Sequence, residues 1–539
     1  MVEIAGKTVC DGIAIGRIKY FEGTDVKMEC KAIENTGEEC QRVTSAVCRV
    51  VEELDALYEQ TALTLGDEHA AIFHVHAMML SDETFLEAIH NMIKAHGVNA
   101  EYAVACVGLQ YANMLAEQED PYFAARSEDV KDIAERVIRE LLGTQNVEKQ
   151  EDQTESSVIL MTPVLRPSDA IQLRRENTLA LVMQYGGMNS HAAILARAMG
   201  IPTLTDVTVK KEYDGQLVIV DGLSGKVIIN PDEEIQRLYE EKLAERKARN
   251  EKLQDLVGKE SVTRSGRGIK LYANISHPGD VEAVLSNDAE GIGLFRSEYL
   301  FLGRNSLPSE DEQYEAYRSV LEAMGDKKVI IRTMDIGADK QADYLALGKE
   351  ENPALGCRAI RLCLMHPELL RTQLRALYRA SSYGNLSILY PMISSVQEVA
   401  VIKGISRAVR DELAEEGVAI ALVEEGIMIE TPAAAILSAE LSREVDFFSI
   451  GTNDLTQYTL AMDRQNANLE QFFDAHHPAV LRLIRFVCEN AHKAGIRVGI
   501  CGELGADISL TEEFLQMGVD ELSMSPGKIL EVRYAIRNM

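Results

Sequence analysis

Gly186-Gly187-Met188-Asn189-Ser190-His191 places a histidine where it could carry a phosphoryl group. The stretch leaves the apolar run Leu179-Ala180-Leu181-Val182-Met183 and enters the helical pattern Ala192-Ala193-Ile194-Leu195-Ala196-Arg197. Two glycines permit a tight turn, and a histidine at a helix mouth meets free N–H groups and a positive dipole end that favour an anion. Alone, the same residues also read as a strand–helix connection capped by Ser190. A second set of residues is built for a small phosphorylated acid. Arg296, Arg332, Glu430, Asn453-Asp454 and Cys501 each stand at the end of an expected strand. Arginines grip phosphate and carboxylate by forked hydrogen bonds, and two carboxylates at neighbouring strand ends suit Mg²⁺, which keeps its other positions for substrate. Arg358 and Arg464, in the loops that follow, could complete an anion clamp. The competing reading of this set is a structural salt-bridge layer, and that of Cys501 is a small buried hydrophobe.

The elements that must position these residues follow from periodicity. Eight strands of parallel character alternate with helical patterns: Lys270–Ile275, Gly291–Arg296, Val329–Met334, Leu386–Met392, Gly426–Glu430, Phe447–Gly451, Val498–Cys501 and Glu521–Met524. This is the order of a (β/α)8 barrel, whose active site lies at the carboxyl ends of its strands. Upstream, short strands occupy the first twenty or so residues, and helical spacing runs from about Thr36 to Gly143. A mixed α/β segment then holds His191 and closes with strands at Gln216–Val220 and Lys226–Ile229. A charged helical run from Asp232 to Lys259, poor in apolar residues, reads as a solvated connector.

Composition narrows the class. The 539 residues suffice for three or so domains, and 46% hydrophobic with 26% charged residues is globular usage. No apolar run reaches membrane-spanning length, and the first residues lack the basic and apolar regions of a signal peptide. Nine cysteines without a CxxC pair suggest free thiols in a reducing cytoplasm. With 85 acidic against 55 basic residues the net charge is −30. Nucleic acid and anionic membranes are disfavoured partners, whereas a basic protein would be steered in quickly.

These residues resemble enzyme I of the bacterial phosphotransferase system, a phosphoenolpyruvate–protein phosphotransferase of the PEP-utilising superfamily. The likeness rests on Gly291-Ile292-Gly293-Leu294-Phe295-Arg296-Ser297-Glu298-Tyr299-Leu300, Arg332-Thr333-Met334-Asp335-Ile336-Gly337, Glu430-Thr431-Pro432-Ala433-Ala434-Ala435 and Ser449-Ile450-Gly451-Thr452-Asn453-Asp454-Leu455-Thr456-Gln457-Tyr458. The helical insert ahead of the histidine, without a preceding nucleotide-binding domain, favours this member over the related dikinases. The resemblance implies a multidomain α/β chain. Residues 1–22 and 146–230 would form a phosphohistidine α/β domain, and 23–145 an inserted α-helical subdomain that docks the carrier protein HPr. Residues 231–261 would form the linker helix, and 262–539 a C-terminal TIM barrel for phosphoenolpyruvate and dimerisation.

The resemblance further implies Mg²⁺ on Glu430 and Asp454 and phosphate on Arg296 and Arg332, with Arg358, Asn453, Asp454 and Arg464 among the substrate contacts. His191 would attack phosphorus through Nε2, Cys501 would protonate the enolate to give pyruvate, and phospho-His191 would pass its group to a histidine of HPr. A cytoplasmic homodimer serving sugar uptake is expected. The chain departs from the family around the histidine: Met188-Asn189 stand for Arg-Thr, and Ala192 and Ala170 for hydroxyl residues, which removes a cation and hydroxyls from its surroundings. Gly337-Ala338-Asp339-Lys340 replaces Gly-Gly-Asp-Lys, and Cys357 an aromatic residue. A PEP-utilising enzyme acting on a small molecule, and a PEP-responsive regulator with a divergent histidine loop, are the other readings. His74 and His76, two apart on a helical pattern, are not expected to share a metal. His476-His477-Pro478 reads as a loop, and Ala77-Met78-Met79-Leu80 as helical core rather than a docking patch.

Overall fold

Short runs of β-branched and apolar residues open the chain, and each finds a partner far along the sequence. The computed structural model describes residues 1–21, 29–65, 67–116, 126–143, 157–165, 177–185, 193, 196–197, 199–302, 304, 306–337, 343–345, 350–463, 466, 469 and 472–539. The chain divides into two compact units, residues 1–248 and 249–539.

In the first unit, β1 (Val2–Ala5), β2 (Lys7–Cys10), β3 (Ile13–Tyr20), β4 (Val158–Thr162), β5 (Thr178–Met183), β6 (Thr203–Thr205), β7 (Leu217–Asp221) and β8 (Lys226–Ile229) make one mixed sheet. Its order is β1-β8-β7-β3-β4-β5-β6-β2. Ala14, Ile18, Ile159, Met161, Val182, Val218 and Val220 fill one core against it. β3 and β4 are parallel neighbours, Ile18 opposite Ile159. Among the described residues, the connection between them carries the helices α1 (Thr36–Leu65), α2 (Asp67–Leu80), α3 (Glu83–His96), α4 (Ala100–Ala116) and α5 (Ser127–Leu142). These bury a separate core that includes Val47, Leu54, Phe73, Ile89, Val104 and Val137. An insertion with its own core can grow inside a strand connection without disturbing the sheet. Its helix ends are set locally: Asp82 accepts the Thr84 and Phe85 N–H groups at the start of α3, and Gly97 ends it with φ +61.

Helix α6 (Glu233–Gln254) is the charged connector. The division between the units falls inside it, ahead of the sequence boundary near Ser261. Its first half belongs to the first unit, where buried Tyr239 donates its hydroxyl to Asp221 at 2.8 Å. Its end belongs to the second, where Leu253 and Leu256 pack with Leu530.

The second unit is a closed barrel of β9 (Lys270–Ile275), β10 (Gly291–Arg296), β11 (Lys328–Arg332), β12 (Asn385–Tyr390), β13 (Glu424–Ile429), β14 (Phe447–Ile450), β15 (Arg497–Ile500) and β16 (Glu521–Met524). All eight neighbouring pairs are parallel. Runs such as Val329-Ile330-Ile331 are apolar throughout because outer helices cover one face and the barrel interior the other. Ser309 and Glu312, and again Ser395 and Glu398, form reciprocal caps that start the helices Glu310–Met324 and Val396–Glu415. Inside, Leu294, Ile330, Leu389, Met428 and Phe447 fill the barrel, and Cys501 lies on the same cluster. Among the described residues no helix is long and apolar enough to cross a membrane.

The opposite, amino-terminal end of the barrel is polar. Lys328 and Arg497 both reach Glu424, the latter at 2.6 Å. Glu521, at the start of β16, is fully buried beside them. Burial pushes its carboxyl from about 4.5 up to about 7, against the opposing charges of Arg497 and Lys328. A raised folded pKa means stability is complete below the unfolded value and is lost as pH rises through the folded one. Glu521→Gln should therefore match the wild type at pH 4 and exceed it at pH 8 by on the order of 2–3 kcal/mol. Denaturant titrations of the barrel at the two pH values check this; equal stabilities at pH 8 would refute it.

Candidate active site

The carboxyl ends of the barrel strands open into one cleft of about 1430 Å³. Arg296, Arg332, Arg358, Glu430, Asn453, Asp454 and Cys501 all line it. Thus seven of the residues singled out in the sequence share one surface. His191 and Arg464 lie outside the described residues, as do Met188, Asn189, Ala192 and Ala170.

Arg296 and Arg332 end adjacent strands and are opposite each other in the register. Their surroundings differ nonetheless: Arg296 is exposed, whereas Arg332 is 5% exposed. Arg332 Nη2 donates to Glu298, and its Nη1 lies 3.3 Å from Asp335 Oδ2. Arg358 comes from the loop ahead of the short helix Ile360–Met365. Its Nη2 donates to both oxygens of Asp335 at 3.0 and 3.1 Å, while its Nη1 reaches Asp454 at 3.3 Å and the Tyr458 hydroxyl at 3.2 Å. Burial opposes the charge on both arginines, but the carboxylates prevail and hold both above the ordinary guanidinium value: Glu298 and Asp335 around Arg332, Asp335 and Asp454 around Arg358. The salt-bridge layer considered as an alternative is therefore present, and it is made of the same arginines that face the cleft.

Backbone shape sets the Arg358 loop. Gly337 has φ +116, and a Cβ there would come within 2.6 Å of Arg358 Cβ. Only glycine meets both conditions, so the loop carrying Arg358 can fold down on Ile336, whose carbonyl accepts the Ala359 N–H at 2.9 Å. Ala359 itself has φ +51, a strained conformation for a residue with a side chain.

Glu430 follows β13 directly and is 1% exposed. Its Oε1 accepts the Met392 N–H at 2.6 Å. Burial first, then the charges of Asp454 and Asp335, push its carboxyl up to about 8, with Arg332 and Arg358 opposing. Asp454 and Asn453 occupy the first turn of the helix Thr452–Leu460, which follows β14. Asn453 is held by a reciprocal pair: its Nδ2 donates to Glu503 Oε1, and its Oδ1 accepts the Glu503 N–H, both at 3.1 Å. Gly502 allows this approach, since a Cβ there would lie 2.0 Å from Thr452 Oγ1. Two carboxylates that repel each other in a buried setting fit a divalent cation, whose charge would relieve that repulsion. Among the described residues no group of three or more His, Cys, Asp or Glu is arranged to hold a metal by itself. Glu430 and Asp454 would thus supply two ligands and leave the others to substrate and water.

Cys501 follows β15 and is 3% exposed. Its Sγ lies 3.6 Å from the Ile450 carbonyl, and its own carbonyl accepts from Asn274 Nδ2 at 3.0 Å. Burial raises the thiol to about 11, despite a hydrogen bond with Ser449 and the pull of Arg332 and Arg296. At neutral pH it holds its proton, as a general acid must.

Sequence reasoning did not single out Glu298, Asp335, Tyr458 or the Met392 N–H as members of the site. Asp454 and Tyr458 stand four apart on one helix, a spacing that could have linked them. Glu298 and Asp335 sat in the quoted strings, but the partner of Glu298 is fixed by the pairing of β10 with β11, and that of Asp335 by the return of the Arg358 loop onto Ile336. His476 also lines the cleft, its Nε2 2.6 Å from Asp507 Oδ2, so the segment read as a loop contributes a side chain to the rim. In the first unit, His76 is buried between Asp129 and Asp132, whereas His74 is exposed. Ala77 and Leu80 are core, as expected for that segment, whereas Met78 is 61% exposed.

A closed parallel barrel with arginines, two carboxylates and a thiol at its carboxyl mouth defines an enzyme that handles phosphorylated acids. Family models agree. Residues 250–539 match the PEP-binding domain of PEP-utilising enzymes, 5–126 their N-terminal domain and 154–225 their mobile domain. The phosphoenolpyruvate-protein phosphotransferase of Geobacillus stearothermophilus is 42% identical over 539 residues, covering 99% of this chain and 93% of that protein. That of Bacillus subtilis (strain 168) is 41% identical, covering 100% and 95%. That of Staphylococcus aureus is 38% identical, covering 99% and 94%. The chain belongs to the phosphoenolpyruvate-protein phosphotransferase family.

The protonated Cys501 thiol carries a reactivity prediction. Cys501 is buried and keeps its proton at pH 7.5, whereas Cys30 is exposed to the reagent, so iodoacetamide should label Cys501 at least ~30-fold more slowly, with a rate that climbs towards pH 11. Peptide mass spectrometry of timed samples measures this, and equal labelling of the two cysteines would contradict the assigned environment.

Proposed function

We propose that this protein takes the phosphoryl group of phosphoenolpyruvate onto His191 and passes it to a histidine of the carrier protein HPr, releasing pyruvate. The observation that supports this best is the barrel mouth, where Arg332 and Arg358 face Glu430, Asp454 and the protonated Cys501 within one cleft. Arg296 and Arg332 hold the phosphate in this reading, and Arg358, Asn453 and Arg464 complete the substrate contacts. Mg²⁺ on Glu430 and Asp454 would neutralise charge on the substrate oxygens. His191 Nε2 attacks phosphorus in line: an N–P bond forms, the P–O bond to the enol oxygen breaks, and the enolate leaves with that electron pair. The arginines stabilise charge on the phosphoryl oxygens during transfer. Cys501 then gives its proton to the enolate methylene carbon, and the thiolate recovers a proton from solvent.

Charge and exposed side chains suit the proposed partner. The net charge of −30 would attract a basic docking face. Met78 on α2, and Leu109 and Met114 on α4, are 61%, 56% and 54% exposed, offering apolar contacts on the helical insert. The barrel unit exposes Leu422, Ile436 and Met365, which suits a homodimer formed through that unit. All nine cysteines are free, which accords with a cytoplasmic setting.

Incubation with ³²P-labelled phosphoenolpyruvate and Mg²⁺, followed by HPr, tests the reading. Acid-labile label on His191 that chases onto HPr is the expected result. Label that discharges only to a nucleotide would replace it with a small-molecule enzyme, and an unlabelled protein with a regulator. Cys501→Ala should bind phosphoenolpyruvate within about threefold of the wild type while releasing pyruvate at least ~100-fold more slowly. Full turnover by that variant would remove Cys501 from the acid role.

A further inference from the structure

Asp335 is 1% exposed and meets both buried arginines of the cleft. Arg358 donates to it through Nη2 to both oxygens, with Nε 3.3 Å from Oδ1, and Arg332 Nη1 is 3.3 Å from Oδ2. The charges alternate along one buried row: Glu298, Arg332, Asp335, Arg358, Asp454. Two guanidinium groups turned towards the same point repel each other, and in a buried setting that repulsion is poorly screened. A carboxylate between them removes it and fixes their separation. Asp335 stands at the centre of the row and, among the described residues, is the carboxylate that contacts both arginines at once.

The same contacts limit what the arginines offer a substrate. Nε and both terminal nitrogens of Arg358 already face Asp335, Asp454 or Tyr458. On Arg332, Nη1 and Nη2 face Asp335 and Glu298, while Nε is buried without a hydrogen-bond partner. A phosphate entering the cleft must therefore compete with Asp335 and Asp454 for the donors of Arg358, and it shares the terminal nitrogens of Arg332 with Asp335 and Glu298. We propose that Asp335 is a positioning residue of the phosphotransfer site: it holds Arg332 and Arg358 in register for the transferring phosphoryl group and, by competing for their N–H groups, weakens binding of the ground-state substrate. This inference rests on the proposed function, in that the arginines are taken to act on phosphate. It separates affinity from rate. Scaffolding alone predicts that both worsen together when the carboxylate is lost; competition with alignment predicts that they move apart.

The test is Asp335→Asn in the full-length chain, which keeps the size of the side chain and removes its charge. Binding of inorganic phosphate and of phosphoenolpyruvate is read by calorimetry, and kcat by pyruvate release with HPr present. We expect affinity for both ligands to tighten by about threefold or more while kcat falls about 100-fold. Unchanged or weaker binding, or an unchanged kcat, overturns the proposal. If the asparagine variant does not fold, Asp335→Glu keeps the charge and moves it outward by a methylene. That variant should bind phosphoenolpyruvate within about threefold of the wild type and turn over at least about tenfold more slowly; wild-type kcat in it overturns the proposal equally. A wild-type chain that binds phosphoenolpyruvate but releases no pyruvate would defeat the functional reading instead, and the binding comparison between wild type and Asp335→Asn would still decide whether Asp335 competes for the arginines.

Discussion

Charge cannot be placed inside a closed barrel unless it is matched there, and the mouth of this barrel is organised around that constraint. A lone buried guanidinium or carboxylate costs several kcal/mol relative to water. Arg332 and Arg358 are both nearly inaccessible, and Glu298, Asp335 and Asp454 around them offset the cost of burying their charge. Ion pairs of this kind add little net stability, because desolvation offsets most of the attraction. Their value lies in direction: the pairing fixes where each N–H group points, and it does so before any substrate arrives. The stability that tolerates them comes from the apolar layer between strands and outer helices, which includes Phe295, Tyr317, Leu374, Ile388 and Phe448.

Local backbone devices follow from the same constraint. The Arg358 loop can approach Asp335 only because Gly337 has no Cβ and Ala359 accepts a positive φ. Met392 also has a positive φ, +59, and its N–H is the one that meets Glu430 Oε1. These conformations are unfavourable for residues with side chains, and both lie beside charged members of the cleft. Ala461, with φ +53, also lines the cleft, whereas Asp288, with φ +56, pairs with Arg533 elsewhere in the barrel unit.

What the sequence made legible divides along this line. Strand positions were readable to within about two residues, because a buried parallel strand is a run of Val, Ile and Leu whatever its neighbours are. The ends of those strands were readable too, so Arg296, Arg332, Glu430, Asp454 and Cys501 could be placed at one mouth from the barrel rule alone. Pairings across strands were not. Asp335 is three residues from Arg332 but twenty-three from Arg358, and they meet because the chain at Ala359 folds back onto the Ile336 carbonyl beside Gly337. Exposure was equally hidden: Arg296 and Arg332 end neighbouring strands with the same residue type and pair in register, yet one is exposed and the other is buried against Glu298 and Asp335. The helical insert was legible as helices, but not the exposure of Met78 between buried Ala77 and Leu80, because a single residue's face depends on how α2 packs.

The cleft also separates two chemical demands that a single environment could not meet. Stabilising charge on a phosphoryl group needs fixed donors and cations, and these stand on the Arg332, Arg358 and Asp454 side. Protonating a carbon needs a group that keeps its proton until the enolate forms. Cys501 rests on Leu294, Ile330, Leu389, Met428 and Phe447, an apolar bed in which a thiolate is poorly solvated. Arg332 and Arg296 pull the thiol towards ionisation, but burial outweighs them. Were the thiol moved into the charged row, the same arginines would favour its thiolate and leave it unable to act as an acid. The apolar filling of the barrel is therefore part of the chemistry: it supports the fold from within, and it keeps a proton where the second half of the proposed reaction requires one.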